Sequence, residues 1–149
     1  MDAAGRRAPV YPTAPLCFLL PTVTILAMSK VLVAEDDSFL SSLLVRDLVA
    51  EHFEVSAAYD GVQAMEICKT WHPDLILLDL LMPNKDGFEV LSDLRSNPEI
   101  AKTPVIVLSN FSDSATIERV KKFDISDYLV KADTTPREVV AKAKKFFTT

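Results

Sequence analysis

The sequence predicts a doubly wound α/β domain, one five-stranded parallel sheet with helices on both faces. Three observations carry the prediction. From Lys30 onward, strand-like and helix-like periods alternate five times, the signature of repeated strand–helix–strand units. The runs 74–79 and 104–108 are almost purely apolar, which suits central parallel strands covered on both sides. Finally, four apolar runs each stop at a residue with a reactive or ionisable group: Val31 to Ala34 at Glu35-Asp36-Asp37, Leu75 to Leu78 at Asp79, Val105 to Leu108 at Ser109, and Tyr128 to Val130 at Lys131. The carboxyl ends of parallel strands share one edge, so these groups converge on one site instead of four.

Taken in order, strands are expected near 30–34, 53–58, 74–79, 104–108 and 127–130, with helices between and after them. Asp37 is placed to cap a helix beginning near Ser38. In the second helix Ala64, Ile67, Cys68 and Trp71 lie at i, i+3, i+4 and i+7 and form the face that packs on the sheet. Val139, Val140, Ala143 and Phe147 do the same for the last helix, whose start at Thr135-Pro136-Arg137-Glu138 is a capping box with proline at the first helical position. Lys142, Lys144 and Lys145 read as its solvated face near the negative end of the helix dipole. Right-handed crossovers favour the doubly wound arrangement, with a binding crevice beyond the carboxyl ends of the strands.

A chain of 149 residues that is 49% hydrophobic and 25% charged suits one domain with a real core. The net charge is −5, and because residues 1–27 carry Asp2, Arg6 and Arg7 the remainder stands at −6. Such an acidic domain is a poor nonspecific nucleic-acid surface, since that affinity comes from Lys and Arg neutralising phosphates. The apolar stretch Leu16 to Met28 spans 13 residues and is broken by Pro21, whereas a spanning helix needs about 20. Cys17 and Cys68 form no disulfide framework, which points to a reducing, cytoplasmic compartment. Residues 1–27, with Pro9, Pro12, Pro15 and Pro21, read as an unstructured extension, and Met28-Ser29-Lys30 makes a natural beginning for a domain over 28–149. Arg6-Arg7 ahead of the apolar stretch resembles a signal peptide only loosely, with no clear cleavage site.

Several carboxylates brought together raise one another's pKa values unless a cation sits among them. A hard divalent ion is the natural answer, and Mg²⁺ commonly takes one or two carboxylates, waters and phosphate oxygens. Asp36 and Asp79 supply those carboxylates.

Asp79-Leu80-Leu81-Met82-Pro83-Asn84-Lys85-Asp86-Gly87, a D-x-x-M-P-x-x-D-G run after an apolar strand, resembles the phosphoacceptor loop of bacterial two-component response-regulator receiver domains, in particular the chemotaxis-type single-domain members. The other landmarks agree in order: Glu35 and Asp36 match the family's acidic pair, Ser109 its hydroxyl residue, Tyr128 its aromatic switch residue and Lys131 its lysine. The resemblance covers about residues 29–147 and implies a flavodoxin-like strand order, 2-1-3-4-5. It further implies that Asp79 accepts a phosphoryl group, that Mg²⁺ (or Mn²⁺) is held by Asp36, Asp79, the Leu81 backbone carbonyl and, through a water, Glu35, and that Lys131 and Ser109 stabilise the phosphoryl oxygens. Ser109 moving inward would let Tyr128 follow, changing the face formed by the fourth helix, fifth strand and fifth helix.

The implied partners are a sensor histidine kinase or phosphotransfer protein and a separate downstream protein. No nucleic acid or membrane contact is implied, and the state is a monomer or a phosphorylation-dependent dimer. With only Thr148-Thr149 after the last helix, a stand-alone receiver is expected, a signalling domain and not an enzyme. The alternatives are a Mg²⁺-dependent aspartyl-phosphate phosphohydrolase, disfavoured because no acid stands two positions beyond Asp79, and a scaffold that is never phosphorylated, disfavoured by the intact acidic set.

Each assignment has a plainer structural reading. Asp79 could simply end a strand, Lys131 could be a surface lysine before a turn, and Tyr128 a core-edge aromatic. Gly87 serves backbone conformation, and Trp71, His52 and His72 attract no function. Lys131 is followed by Ala132 where many relatives have proline. Leu81 and Phe111, each two positions beyond a site residue, are apolar and would hinder an attacking water, which predicts a long-lived phosphoryl group.

Overall fold

The computed structural model describes residues 28–148. The extension assigned to 1–27, Cys17 within it, and Thr149 lie outside the described residues. Strands β1 (Lys30–Ala34), β2 (Glu54–Ala58), β3 (Leu75–Asp79), β4 (Val105–Ser109) and β5 (Asp127–Val130) alternate with helices α1 (Ser38–Ala50), α2 (Gly61–Trp71), α3 (Gly87–Ser96), α4 (Ser114–Lys121) and α5 (Pro136–Thr148). All neighbouring strands pair in parallel, in the order β2-β1-β3-β4-β5. Every strand falls within one residue of its expected span. Pro104 has no N–H to donate, so β4 begins at Val105, which pairs with Ile76, and Ser109 at its end remains paired with Val130.

Strand alternation divides the core in two. Leu32, Ala34, Ile76, Leu78, Val105 and Val107 face one side, under Ala64 and Cys68 of α2, Val90, Leu91 and Leu94 of α3 and Val120 of α4. Val31, Val33, Leu75, Leu77, Ile106 and Leu108 face the other, under Leu44 and Leu48 of α1 and Val139, Val140 and Ala143 of α5. Each fully buried Leu or Val contributes about 1.5–3 kcal/mol of transfer free energy. The expected faces of α2 and α5 are the buried ones, with Ile67, Trp71 and Phe147 packed at their margins and Met65 added to the α2 face. Burial pushes the Cys68 thiol up to about 12, so it behaves as a small hydrophobe.

The helix starts are set by side chains. Asp37 Oδ1 accepts from Phe39 N and Leu40 N at 3.0 and 3.1 Å, and Asp60, Asp86 and Asp113 cap α2, α3 and α4. The expected capping box of α5 is present, with Glu138 N donating to Thr135 Oγ1 at 3.2 Å and Thr135 N to Glu138 Oε2 at 3.0 Å. A second capping box, Asp86 with Glu89, opens α3. Among the described residues no helix is long and apolar enough to cross a membrane.

At the amino end of the sheet, Arg95 in the last turn of α3 gathers four carbonyl oxygens. Its guanidinium donates to Phe123 O (2.7 Å), Ala101 O (2.9 Å), Thr103 O (2.7 Å) and Asp124 O (3.3 Å). That brace ties α3 to the segments entering β4 and β5.

Candidate functional site: an acidic cluster at the carboxyl edge of the sheet

Register builds the site. Ala34 pairs with Leu78, which places Glu35 level with Asp79, and Ser109 pairs with Val130, which places Lys131 one step beyond Ser109. The carboxylates of Glu35, Asp36 and Asp79 each offer an oxygen, all within 4.8 Å of one another. Asp37 is not among them, because its carboxylate is committed to capping α1.

Lys131, at the start of a short 3₁₀ turn (Lys131–Asp133), reaches back over the cluster. Its Nζ lies 2.6 Å from Glu35 Oε1 and 3.1 Å from Asp79 Oδ2, so acids and amine share one rim. Glu35 is 2% exposed and its second oxygen, Oε2, is buried with no hydrogen-bond partner. Burial, hydrogen bonding and repulsion from Asp79 push Glu35 up to about 8 against the pull of Lys131. Partial burial and Asp79 also raise Asp36. For Lys131, burial lowers the pKa, but the hydrogen bond to Glu35 and the charges of Asp79 and Glu35 outweigh it and the net shift is upward. Three carboxylates facing one ammonium leave the cluster short of positive charge.

The donor set fits a hard cation. All candidate ligands are oxygens, one buried oxygen is unpaired, and opposite corners of a Mg²⁺ octahedron stand about 4.2 Å apart, close to the span of the cluster. Leu81 N donates to Asp79 Oδ1 at 3.2 Å, which folds the following loop over the Asp79 carboxylate.

Ser109 is buried at the end of β4, its Oγ accepting from Phe111 N at 3.1 Å. The carbonyl of Phe111 in turn accepts from the Tyr128 hydroxyl at 2.7 Å. Ser109 and Tyr128, 19 positions apart in sequence, are thereby joined through one backbone unit. Gly87 has a steric role and not a left-handed one: a Cβ there would stand 2.5 Å from Asp79 O and 2.7 Å from Leu80 Cα. His52 and His72 take positive φ of 69° and 52° after α1 and α2, outside the acidic cluster. Sequence reasoning gave no role to Asn84, Asp60 or Gly61, where the loop after β3 meets the start of α2. The Asp60-Gly61 pair at a helix start was the available signal.

Comparison with known proteins agrees with this architecture. The profile of the response regulator receiver domain matches residues 31–144. The chain is 32% identical over 111 residues to the polar-differentiation response regulator DivK of Brucella ovis, covering 74% of this chain and 90% of that protein. It is 33% identical over 115 residues to the probable transcriptional regulator ycf27 of Porphyridium aerugineum, covering 77% of this chain but only 46% of that longer protein. Among solved structures, the receiver domain of Francisella response regulator 1452 superposes with a TM-score of 0.71 at 30% identity, covering 80% of this chain and 96% of that one. The Mn²⁺-bound form of response regulator Rcp1 does so with a TM-score of 0.70 at 27% identity, covering 80% and 94%. With its flavodoxin-like sheet order, its acidic rim and a profile match over most of its length, the chain belongs to the response regulator receiver domain family of two-component systems.

Proposed function

We propose that this receiver accepts a phosphoryl group from the phosphohistidine of a sensor histidine kinase or phosphotransfer protein onto Asp79, in a Mg²⁺-dependent reaction. The observation that carries the reading is the meeting of Glu35, Asp36 and Asp79 within 4.8 Å under the Lys131 ammonium. One carboxylate oxygen of Asp79 attacks phosphorus, an O–P bond forms, and the P–N bond breaks with its electron pair returning to the donor imidazole. Asp36, Asp79 and the Leu81 carbonyl, with Glu35 through a water, would hold Mg²⁺, which when bound would supply positive charge to the phosphoryl oxygens. Mn²⁺ suits the same oxygen set.

Lys131, already in contact with Asp79, follows the charge as it moves onto the phosphoryl oxygens. Ser109 then donates a hydrogen bond from its hydroxyl to a phosphoryl oxygen. Because Phe111 donates to Ser109 and accepts from Tyr128, displacement of Ser109 pulls on the Tyr128 tether. The face of α4, β5 and α5 changes, and a separate protein, or a second receiver, reads that change.

Exposed apolar side chains follow three strand ends on the same edge of the sheet: Phe39 (73% exposed) after β1, Tyr59 and Val62 after β2, and Leu81 (58% exposed) after β3. They offer a phosphodonor contact area beside the acids. The test is incubation with acetyl phosphate or a beryllofluoride mimic and Mg²⁺. Stoichiometric labelling of the wild-type chain, lost in Asp79→Ala and in EDTA, is expected. Continuous turnover of phosphomonoesters would instead identify a hydrolase, and a folded chain that never labels would identify a scaffold.

A further inference from the structure

The loop between β3 and α3, residues 80–86, is also fastened within its span, at Asn84. Asn84 Nδ2 donates to Asp60 Oδ2 at 2.9 Å, while Asp60 Oδ1 accepts from Gln63 N at 2.8 Å as the N-cap of α2. One carboxylate therefore serves a helix cap and a tertiary contact at once. Beside it, the Lys85 carbonyl oxygen occupies the space of a side chain at Gly61, 2.0 Å from where a Cβ would stand. The loop rests directly on the first residue of α2.

Asn84 holds this contact in an uncommon backbone state. Its φ is 67°, at the centre of a three-residue turn closed by Lys85 N to Pro83 O at 2.7 Å. Few side-chain-bearing residues tolerate that region, and Asn is one of the better ones. The two ends of the loop are also short of slack: Leu81 N bonds Asp79 Oδ1 at 3.2 Å, and Gly87 N bonds Leu80 O at 2.9 Å. With both ends held, the Asn84 contact adds a point of attachment between them.

We propose that Asn84 and Asp60, seated over Gly61, are positioning residues for the divalent-cation site: their hydrogen bond fixes the loop so that the Leu81 carbonyl is presented to Asp36 and Asp79. The inference rests on the phosphoacceptor reading for the identity of that site. It concerns an outer support of the metal, and such supports commonly change affinity by about 10–100-fold.

Calorimetric titration of the full chain with MgCl₂, paired with thermal melts in EDTA, tests it. Asn84→Gly keeps the backbone conformation and removes the amide, and Asp60→Ser keeps a capping oxygen and removes the acceptor for Asn84. Both are expected to raise the Mg²⁺ Kd about tenfold. Asn84→Asp, which opposes two carboxylates, should raise it further. The exchange Asp60→Asn with Asn84→Asp restores a donor–acceptor pair and should bring the Kd back to within about twofold of wild type. A Kd within about twofold of wild type in both Asn84→Gly and Asn84→Asp overturns the proposal, whatever the melts show, because a merely structural contact would move only the melts. A wild-type chain that neither binds Mg²⁺ nor labels at Asp79 overturns the phosphoacceptor reading as well. A wild-type chain that does both, beside variants of unchanged Kd, overturns this inference alone.

Discussion

Glu35 and Leu81 show how single side chains tune one site in opposite senses. Glu35 is held beside Asp79 with one oxygen unpaired, a cost carried by the free domain that a bound cation would relieve. Glu35→Gln keeps an acceptor for Lys131 and removes the charge. It is expected to raise the melting temperature in EDTA and to weaken Mg²⁺ binding about tenfold. Leu81 and Phe111 stand two positions beyond Asp79 and Ser109, and their apolar side chains offer no hydrogen bond to orient a hydrolytic water. The acyl phosphate is therefore expected to outlast the lifetime of seconds that would sink this expectation, and Leu81→Asn should shorten it. Decay of the labelled chain in Mg²⁺ buffer measures both.

At the scale of elements, each described helix start from α1 to α4 uses an aspartate and α5 uses a threonine, so element boundaries are fixed by polar side chains and not by the core alone. Thr135→Ala removes one oxygen from the α5 cap and should cost about 1 kcal/mol in urea unfolding. Gly87→Ala should cost more, about 1–3 kcal/mol, because its Cβ meets the backbone of Asp79 and Leu80, which has little freedom to yield. It should also slow labelling of Asp79, whereas Thr135→Ala should not. These elements were legible in sequence because five short strands alternating with amphipathic helices leave little choice of layer, and because the polar residues at the ends of four of them mark the functional edge. Asn84 with Asp60 was not legible, since a bond across 24 positions between two loops has no period to betray it. Arg95 was hidden for a related reason. An arginine in a last helical turn reads as a solvated partner of the dipole, and only the folded chain brings four carbonyls to it.

For the whole molecule, the acidic cluster links folding to pH and metal. A carboxyl whose folded pKa lies above its unfolded one contributes stability at low pH that is lost as pH rises through the interval between them. For Glu35 that interval runs from 4.5 to about 8. Without divalent cations, stability should fall across this window, and Mg²⁺, which competes with the proton, should restore it. At a hundred times Kd the cation adds about 2.7 kcal/mol. Melts at pH 6 and pH 8 with and without Mg²⁺ check the sign: the increment should be larger at pH 8, and Glu35→Gln should flatten the difference.

The Arg95 brace gives the molecule a mechanical asymmetry. Its guanidinium stays protonated at any physiological pH, and its four acceptors come from the two segments that enter β4 and β5 below the sheet. The lower half of the domain is in effect a plinth. In the proposed switch, a rearrangement started at Ser109 would meet this brace below and be expected to pass sideways, into the loops that lead to α4 and α5.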